Sequence, residues 1–167
     1  DKDAKTIVKT QEIPGREAPS RARKVVRAGD ILVSTVRPNL NAVAVVPDEL
    51  DGQIASTGFC VLRSNPKALK SRFLFYRTIT PEFVNFLTAR MRGANYPAVT
   101  DGVVKEALIP LPPPSEQQRI VEILDQADEL RKKRAEADAR TERILPALFL
   151  RTFGDPATNP MGWDKVP

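Results

Sequence analysis

Three regimes of hydrophobic patterning divide the chain. Residues 1–28 are polar and turn no regular face towards a core. They read either as a solvated loop or as a basic strip facing phosphates, through Lys2, Lys5, Lys9, Arg16, Arg21, Arg23, Lys24 and Arg27. Residues 29–64 carry β-type runs. Gly29-Asp30 signals a turn before Ile31-Leu32-Val33-Ser34-Thr35-Val36, and Pro38-Asn39-Leu40-Asn41 interrupts that run. Ala42-Val43-Ala44-Val45-Val46 resumes it up to Pro47, and Asp51-Gly52 precedes a strand over residues 54–62. Runs with this little alternation suit strands covered on both faces.

From residue 71 the period becomes helical. Phe73, Leu74 and Tyr76, then Phe83, Val84, Phe86 and Leu87, fit helix faces. Thr80-Pro81 is an N-cap followed by proline at the first helical position, and Gly93 suits a helix stop. Residues 108–111 read as a last short strand before Pro112-Pro113-Pro114, a stiff, non-helical spacer.

Ser115-Glu116-Gln117-Gln118 has the pattern of a capping box between Ser115 and Gln118, and opens a long helix. Ile120, Ile123, Ala127, Leu130, Ala137, Ile144 and Leu148 continue it. With Arg134 and Thr141 counted, their spacing alternates three and four, a heptad seam with two polar positions that fix register. From residue 116 to 145 this helix spans about 45 Å at ~1.5 Å per residue. The small sheet domain cannot cover such a stripe alone, so a partner helix is expected to cover it in preference to a fold-back on its own domain. Pro146 is expected to kink or end the helix, because its ring crowds the carbonyl of Glu142. The turn-rich stretch beyond residue 151 holds Gly154-Asp155-Pro156, Asn159-Pro160 and the lone Trp163.

Charge separates these regions further. The whole chain carries +5. Residues 1–114 hold a net +6, residues 115–151 balance to zero and residues 152–167 carry −1. The positive excess belongs to the first part, which leans towards an acidic partner. The middle is charged but balanced, as a solvated helix with paired charges would be. Histidine is absent, which removes histidine-based nucleophilic triads and the common zinc sites. Asp30, Asp101 and Glu106 have no partner spacing for acid/base or metal work, and no glycine-rich phosphate loop is present. No catalytic residue, metal or cofactor is therefore expected. Cys60, the single cysteine, sits between Phe59 and Val61 and reads as a packed thiol. It permits no internal disulfide and fits a reducing, cytoplasmic compartment. No apolar run is long enough to span a bilayer, and no basic-then-apolar leader opens the sequence.

Two loops offer both phosphate contacts and paired hydrogen bonding to base edges. One is Arg37-Pro38-Asn39-Leu40-Asn41 and the other Arg90-Met91-Arg92-Gly93-Ala94-Asn95-Tyr96. Candidate DNA-contacting residues are Arg37, Asn39, Asn41, Arg90, Arg92, Asn95 and Tyr96. Arg90 and Arg92 suit guanine or phosphate, Asn95 suits adenine, and Tyr96 can stack or donate. Lys105 reads as surface.

Gly29-Asp30-Ile31-Leu32-Val33-Ser34, Arg37, the strand over residues 56–62, the Gly93 loop and above all Ile109-Pro110-Leu111-Pro112-Pro113-Pro114-Ser115-Glu116-Gln117-Gln118-Arg119-Ile120-Val121 resemble the specificity (S) subunit of type I restriction–modification systems. The resemblance covers roughly residues 18–151, and the tail from Gly154 to Trp163 looks like the lead-in to a second copy of the same unit. It implies an α+β fold: a small mixed-sheet target recognition domain over residues 1–112, incomplete at its N-terminal side, a long coiled-coil helix over residues 113–151, and a tail over residues 152–167. It also implies a non-catalytic subunit that reads double-stranded DNA. Methylation (M) subunits dock on it, and restriction (R) subunits join through them. Such subunits carry two domain–helix units whose helices pair antiparallel and set half-site spacing. The single domain–helix unit is then expected to be either a half-subunit that pairs as an antiparallel homodimer or a truncated fragment. The other reading is a coiled-coil scaffold that has no DNA binding of its own.

Overall fold

The structure, a computed structural model, describes residues 1–164. The backbone forms two compact units, residues 1–122 and the stretch from Ile123 onward.

The first unit is α+β. Strand β2 (Ile31–Ser34) is central in a three-stranded sheet, between β3 (Val43–Val45) and β5 (Phe59–Leu62). A second, two-stranded sheet pairs β1 (Ala22–Val25) with β4 (Ile54–Ser56). All three pairings run antiparallel, so the strands within this α+β class are antiparallel rather than mixed in direction. Ile31, Leu32 and Val33 are all buried, as the unbroken apolar run requires. Ile31 and Val33 pack with Val43, Cys60, Leu74, Phe75, Phe83 and Leu87. Leu32 turns to the opposite core with Val26 and Val46.

Two features of the strand pattern were not anticipated. Residues 1–28 include β1, which the polar composition hid. Its inward residues are Ala22 and Lys24, and Lys24 buries its stem while its ammonium donates to the Phe59 carbonyl (2.7 Å) and Asp101 Oδ2 (2.6 Å). The expected strand over 54–62 is instead two strands in different sheets. They are split at Thr57-Gly58, where the Gly58 carbonyl accepts from both the N–H and the hydroxyl of Thr35 (2.9 Å each).

Helices α1 (Ser71–Thr78) and α2 (Pro81–Thr88) match the helical period. The Thr80 hydroxyl caps α2 by accepting from the Phe83 N–H at 3.4 Å. This helix ends at Thr88, so Gly93 is not its stop. At φ +102°, Gly93 instead turns the following loop, where a Cβ would sit 3.0 Å from the Tyr96 carbonyl oxygen. Residues 108–111 form no strand, since Pro110 and the adjacent Pro112 lack the N–H a ladder needs. A five-residue helix α3 (Asp101–Lys105), capped by Thr100, precedes them and had no periodic signal of its own.

Helix α4 runs over Pro114–Glu142. Its first residue is the third proline of the spacer, where the missing N–H costs nothing. The Pro113 carbonyl accepts from the N–H groups of Glu116 (2.9 Å) and Gln117 (3.0 Å). The expected capping box does not form: Ser115 is already helical and Gln118 donates forward to Glu122 at 2.8 Å. Within α4 only Gln117 and Val121 are buried. The helix stops at Glu142, four residues before Pro146 and at the carbonyl that proline crowds. Helix α5 (Ile144–Phe153) then restarts with Pro146 in its first turn. Ile123, Leu130, Ile144 and Leu148 are exposed, with Leu130 at 67%. Ion pairs along the helix join Asp128 to Arg131 and Lys132, Glu129 to Lys133, and Arg134 to Asp138.

Candidate nucleic-acid interface

The two candidate loops are laced together by backbone. Arg92 and Ala98 exchange N–H···O bonds (3.0 and 2.9 Å), and Ala98 also bridges Val36. The Arg37 N–H donates to the Pro97 carbonyl at 2.7 Å, and the Val99 N–H to the Thr35 carbonyl at 2.9 Å. The segment after β2 and the segment after α2 therefore share one ladder, although more than fifty positions separate them in sequence.

This lacing brings Arg37, Arg92 and Tyr96 together. The Arg37 guanidinium lies 5.6 Å from the centre of the Tyr96 ring, and Tyr96 is 74% exposed. Such a cation–ring contact orients both groups while leaving the guanidinium donors usable. Arg92 and Asn95 are exposed on the same loop, and Asn39 is exposed on the 3₁₀ turn Pro38–Leu40. Arg37 (φ 48°) and Asn41 (φ 47°) bracket that turn in the left-handed region.

Two candidates are placed differently. The Asn41 side-chain amide donates to the Ile79 carbonyl at 3.4 Å, and its own carbonyl accepts from the Lys5 ammonium. It is thereby committed to holding the turn against α1 and the N-terminal segment. Arg90 folds back on α2, with Nη1 donating to the Phe86 carbonyl at 3.0 Å and its guanidinium 3.7 Å from the centre of the Phe86 ring.

Three residues have supporting roles that their local sequence does not reveal. Gln117 is fully buried, and its Oε1 accepts from the Lys70 N–H (2.9 Å). Its Nε2 donates to the carbonyls of Ala68 and Pro112 (2.8 Å each). The Ser-Glu-Gln-Gln motif held the signal, but the capping rule pointed at Gln118 instead. Asp30, 2% exposed, takes both a fork from Arg63 (2.8 and 2.6 Å) and the Arg27 N–H (2.8 Å). Burial alone would raise its carboxyl pKa, but the Arg63 hydrogen bonds, the Arg27 N–H and the two positive charges outweigh it and hold the pKa below the usual value. Lys5, which reaches Asn41, has its pKa lowered chiefly by burial.

Cys60 is fully buried, and its pKa is pushed up to about 11, first by burial and then by Asp101. It is a packed thiol rather than a nucleophile. Among the described residues, no three His, Cys, Asp or Glu side chains gather as a metal site. No helix among them is long and apolar enough to cross a membrane.

Comparison with known proteins places these features. The HindI type I restriction enzyme specificity subunit of Haemophilus influenzae is 29% identical over 142 residues, covering 84% of this chain and 31% of that protein. The MjaIX specificity subunit of Methanocaldococcus jannaschii is 26% identical, covering 93% of this chain and 44% of its own length. The solved HsdS subunit from Thermoanaerobacter tengcongensis superposes with a TM-score of 0.71 at 45% identity, over all of this chain and 43% of that one. A chain from a structure of type I R-M complex assembly and conformational transition gives 0.74 at 45% identity, again over all of this chain and 43% of its own. The chain thus spans between about a third and under half the length of these proteins. The profile of the type I restriction modification DNA specificity domain matches residues 19–137, which contain both sheets, both laced loops and most of the long helix. On that match, which covers well over half of its residues, the chain belongs to the type I restriction–modification DNA specificity family.

Proposed function

We propose that this chain is a non-catalytic DNA-reading unit of a type I restriction–modification complex. The observation that carries the reading is the laced pair of loops presenting Arg37, Arg92, Asn95 and Tyr96 on one basic unit. Arginine gives forked donors for guanine edges or phosphates, asparagine gives the donor–acceptor pair that adenine accepts, and the tyrosine ring gives a stacking face. Asn39 extends the set. Asn41 belongs to it as a support, its amide donating to the Ile79 carbonyl, and Arg90 lies back along α2 with Nη1 on the Phe86 carbonyl. Residues 1–112 form the recognition domain, residues 113–151 the pairing helix and residues 152–167 the tail.

Helix α4 pairs through Ile120, Ile123, Ala127, Leu130 and Ala137, and α5 continues the seam with Ile144 and Leu148, most of these residues being exposed in the single chain. Antiparallel pairing with a second copy covers this seam and sets the distance between two recognition domains. Methylation subunits dock on that assembly and restriction subunits join through them. The test is reconstitution. The chain with a cognate methylation subunit should methylate DNA at a defined bipartite site, and its own DNA affinity should fall steeply between about 50 and 200 mM salt. Absence of DNA binding at low salt by the reconstituted assembly would sink the reading.

A further inference from the structure

We infer that the helix pair adopts one antiparallel register, selected by Arg131 and Asp138. The inference rests on the helix-pairing reading above and adds the residues that choose direction and register. No side chain of α4 from Ile123 to Glu142 is fully buried, so the whole seam is available.

Antiparallel pairing sets the two classes of seam position against each other. Within α4, one such alignment places Arg134 opposite Ala137 of the second copy and Leu130 opposite its Thr141; past the break at Arg143 it carries Ala127 towards Ile144 and Ile123 towards Leu148 of the second copy's α5. Each layer sets a larger side chain against a smaller one, or pairs two aliphatic ones. Parallel pairing in register would instead press Arg134 against Arg134, two like charges in a seam.

The flank beside the seam decides among antiparallel alignments. At seven-residue intervals it reads Leu124, Arg131, Asp138, Leu145: apolar, positive, negative, apolar. Reversed, the same order is complementary to itself. The alignment above brings Arg131 near Asp138 of the second copy, twice by symmetry, and Leu124 near its Leu145. Sliding by one heptad in either direction puts Arg131 against Arg131 or Asp138 against Asp138. On the other flank the alignment sets Lys133 near Arg140 of the second copy, and a slide of one heptad sets Lys133 against Lys133 or Arg140 against Arg140. That flank is repulsive in every alignment, so the attraction comes from Arg131 and Asp138 alone.

Sedimentation equilibrium on the full chain at low salt tests this. Arg131→Glu and Asp138→Arg should each raise the dimer dissociation constant roughly tenfold, since two attractive contacts become repulsive. The double variant should return to within about threefold of the parent. Within one helix, Arg131 pairs with Asp128 and Asp138 with Arg134. The double variant keeps both of those clashes, so its recovery reports contacts between copies alone. Arg131→Gln and Asp138→Asn, which cannot repel, should weaken the dimer less than the reversals. A parent dimer indifferent to the single reversals, or a double variant that stays weakened, overturns the register. A parent that is monomeric at every concentration overturns the pairing reading itself.

Discussion

Gln117 is the side chain whose loss should be felt most in the first compact unit. It has no exposed surface and makes three hydrogen bonds, all to backbone groups. One is the N–H of Lys70, the N-cap residue of α1; the others are the carbonyls of Ala68, two residues earlier, and of Pro112, in the spacer that leads into α4. Gln117→Ala removes the partner of all three. Each bond contributes about 1 kcal/mol net, and a buried group left without a partner costs ~1–3 kcal/mol. A cavity large enough for water will restore part of that, leaving a loss of about 3 kcal/mol. For a chain of this size that lowers the melting temperature by roughly 6–12 °C. Thermal and urea unfolding followed by circular dichroism measure it, with Gln118→Ala, on the exposed face, expected to stay within about 0.5 kcal/mol. Gln117→Glu adds a sign test. A carboxylate there would face two carbonyls, so its folded pKa is raised. The variant should be most stable at acid pH and lose stability as pH rises through that value. If Gln117→Ala matches Gln118→Ala, the latch carries no weight and the account of this junction is wrong.

Asp30→Asn should cost about 1–2 kcal/mol, the lower part of the range for broken ion pairs because Arg63 is half exposed to solvent. Since the folded pKa of Asp30 is lowered, its contribution is present above the ordinary aspartate value near ~4 and is lost as pH falls below it. The variant should therefore show a flatter acid limb in a pH–stability titration. Arg92→Ala should weaken DNA binding by ~1–3 kcal/mol if it reads a base, with specificity relaxed at one position; a uniform loss across sequences with a shallower salt slope would mark it as a phosphate contact. Leu130→Asp buries a charge in the paired seam and should weaken the dimer by ~3 kcal/mol or more, read as a shift to monomer mass in sedimentation.

The β2 and β3 runs, α1, α2 with its Thr80 cap, and the long helix were legible because apolar residues and local caps mark them. What stayed hidden depended on partners remote in sequence. Lys24 points inward in β1 because Asp101 and the Phe59 carbonyl receive it, and no local pattern announces a buried lysine. Gln117 was overlooked for the opposite reason. A local rule gave its neighbour Gln118 a role, while the folded chain used the inward glutamine to tie the stretch before α1 to the spacer before α4. In the two candidate loops, residue type did not show which side chains the fold engages. Asn41 and Arg90 have the same chemistry as Asn95 and Arg92, yet the carbonyls of Ile79 and Phe86 claim them.

Backbone strain gives a test of the proposed roles in the 37–41 turn. Arg37 and Asn41 both lie in the left-handed region, which costs an L-residue ~1–2 kcal/mol relative to glycine. Asparagine tolerates that conformation and uses its amide inside the fold. Arginine has neither excuse, and its guanidinium lies against the exposed Tyr96 ring rather than in the core. Strain at a residue whose side chain points outward directs a test to that side chain. Arg37→Gly should therefore be at least as stable as the parent. Arg37→Ala, which keeps the strain and loses the ring contact, should be less stable than the glycine variant by about 1 kcal/mol. Both should lose DNA affinity equally. Asn41→Gly should do the reverse, lowering stability through the lost Ile79 bond and leaving affinity for DNA intact. Calorimetric melting and binding titrations on the same four proteins decide it: an Arg37→Gly variant that binds DNA like the parent removes Arg37 from the reading surface and leaves its strain without a function.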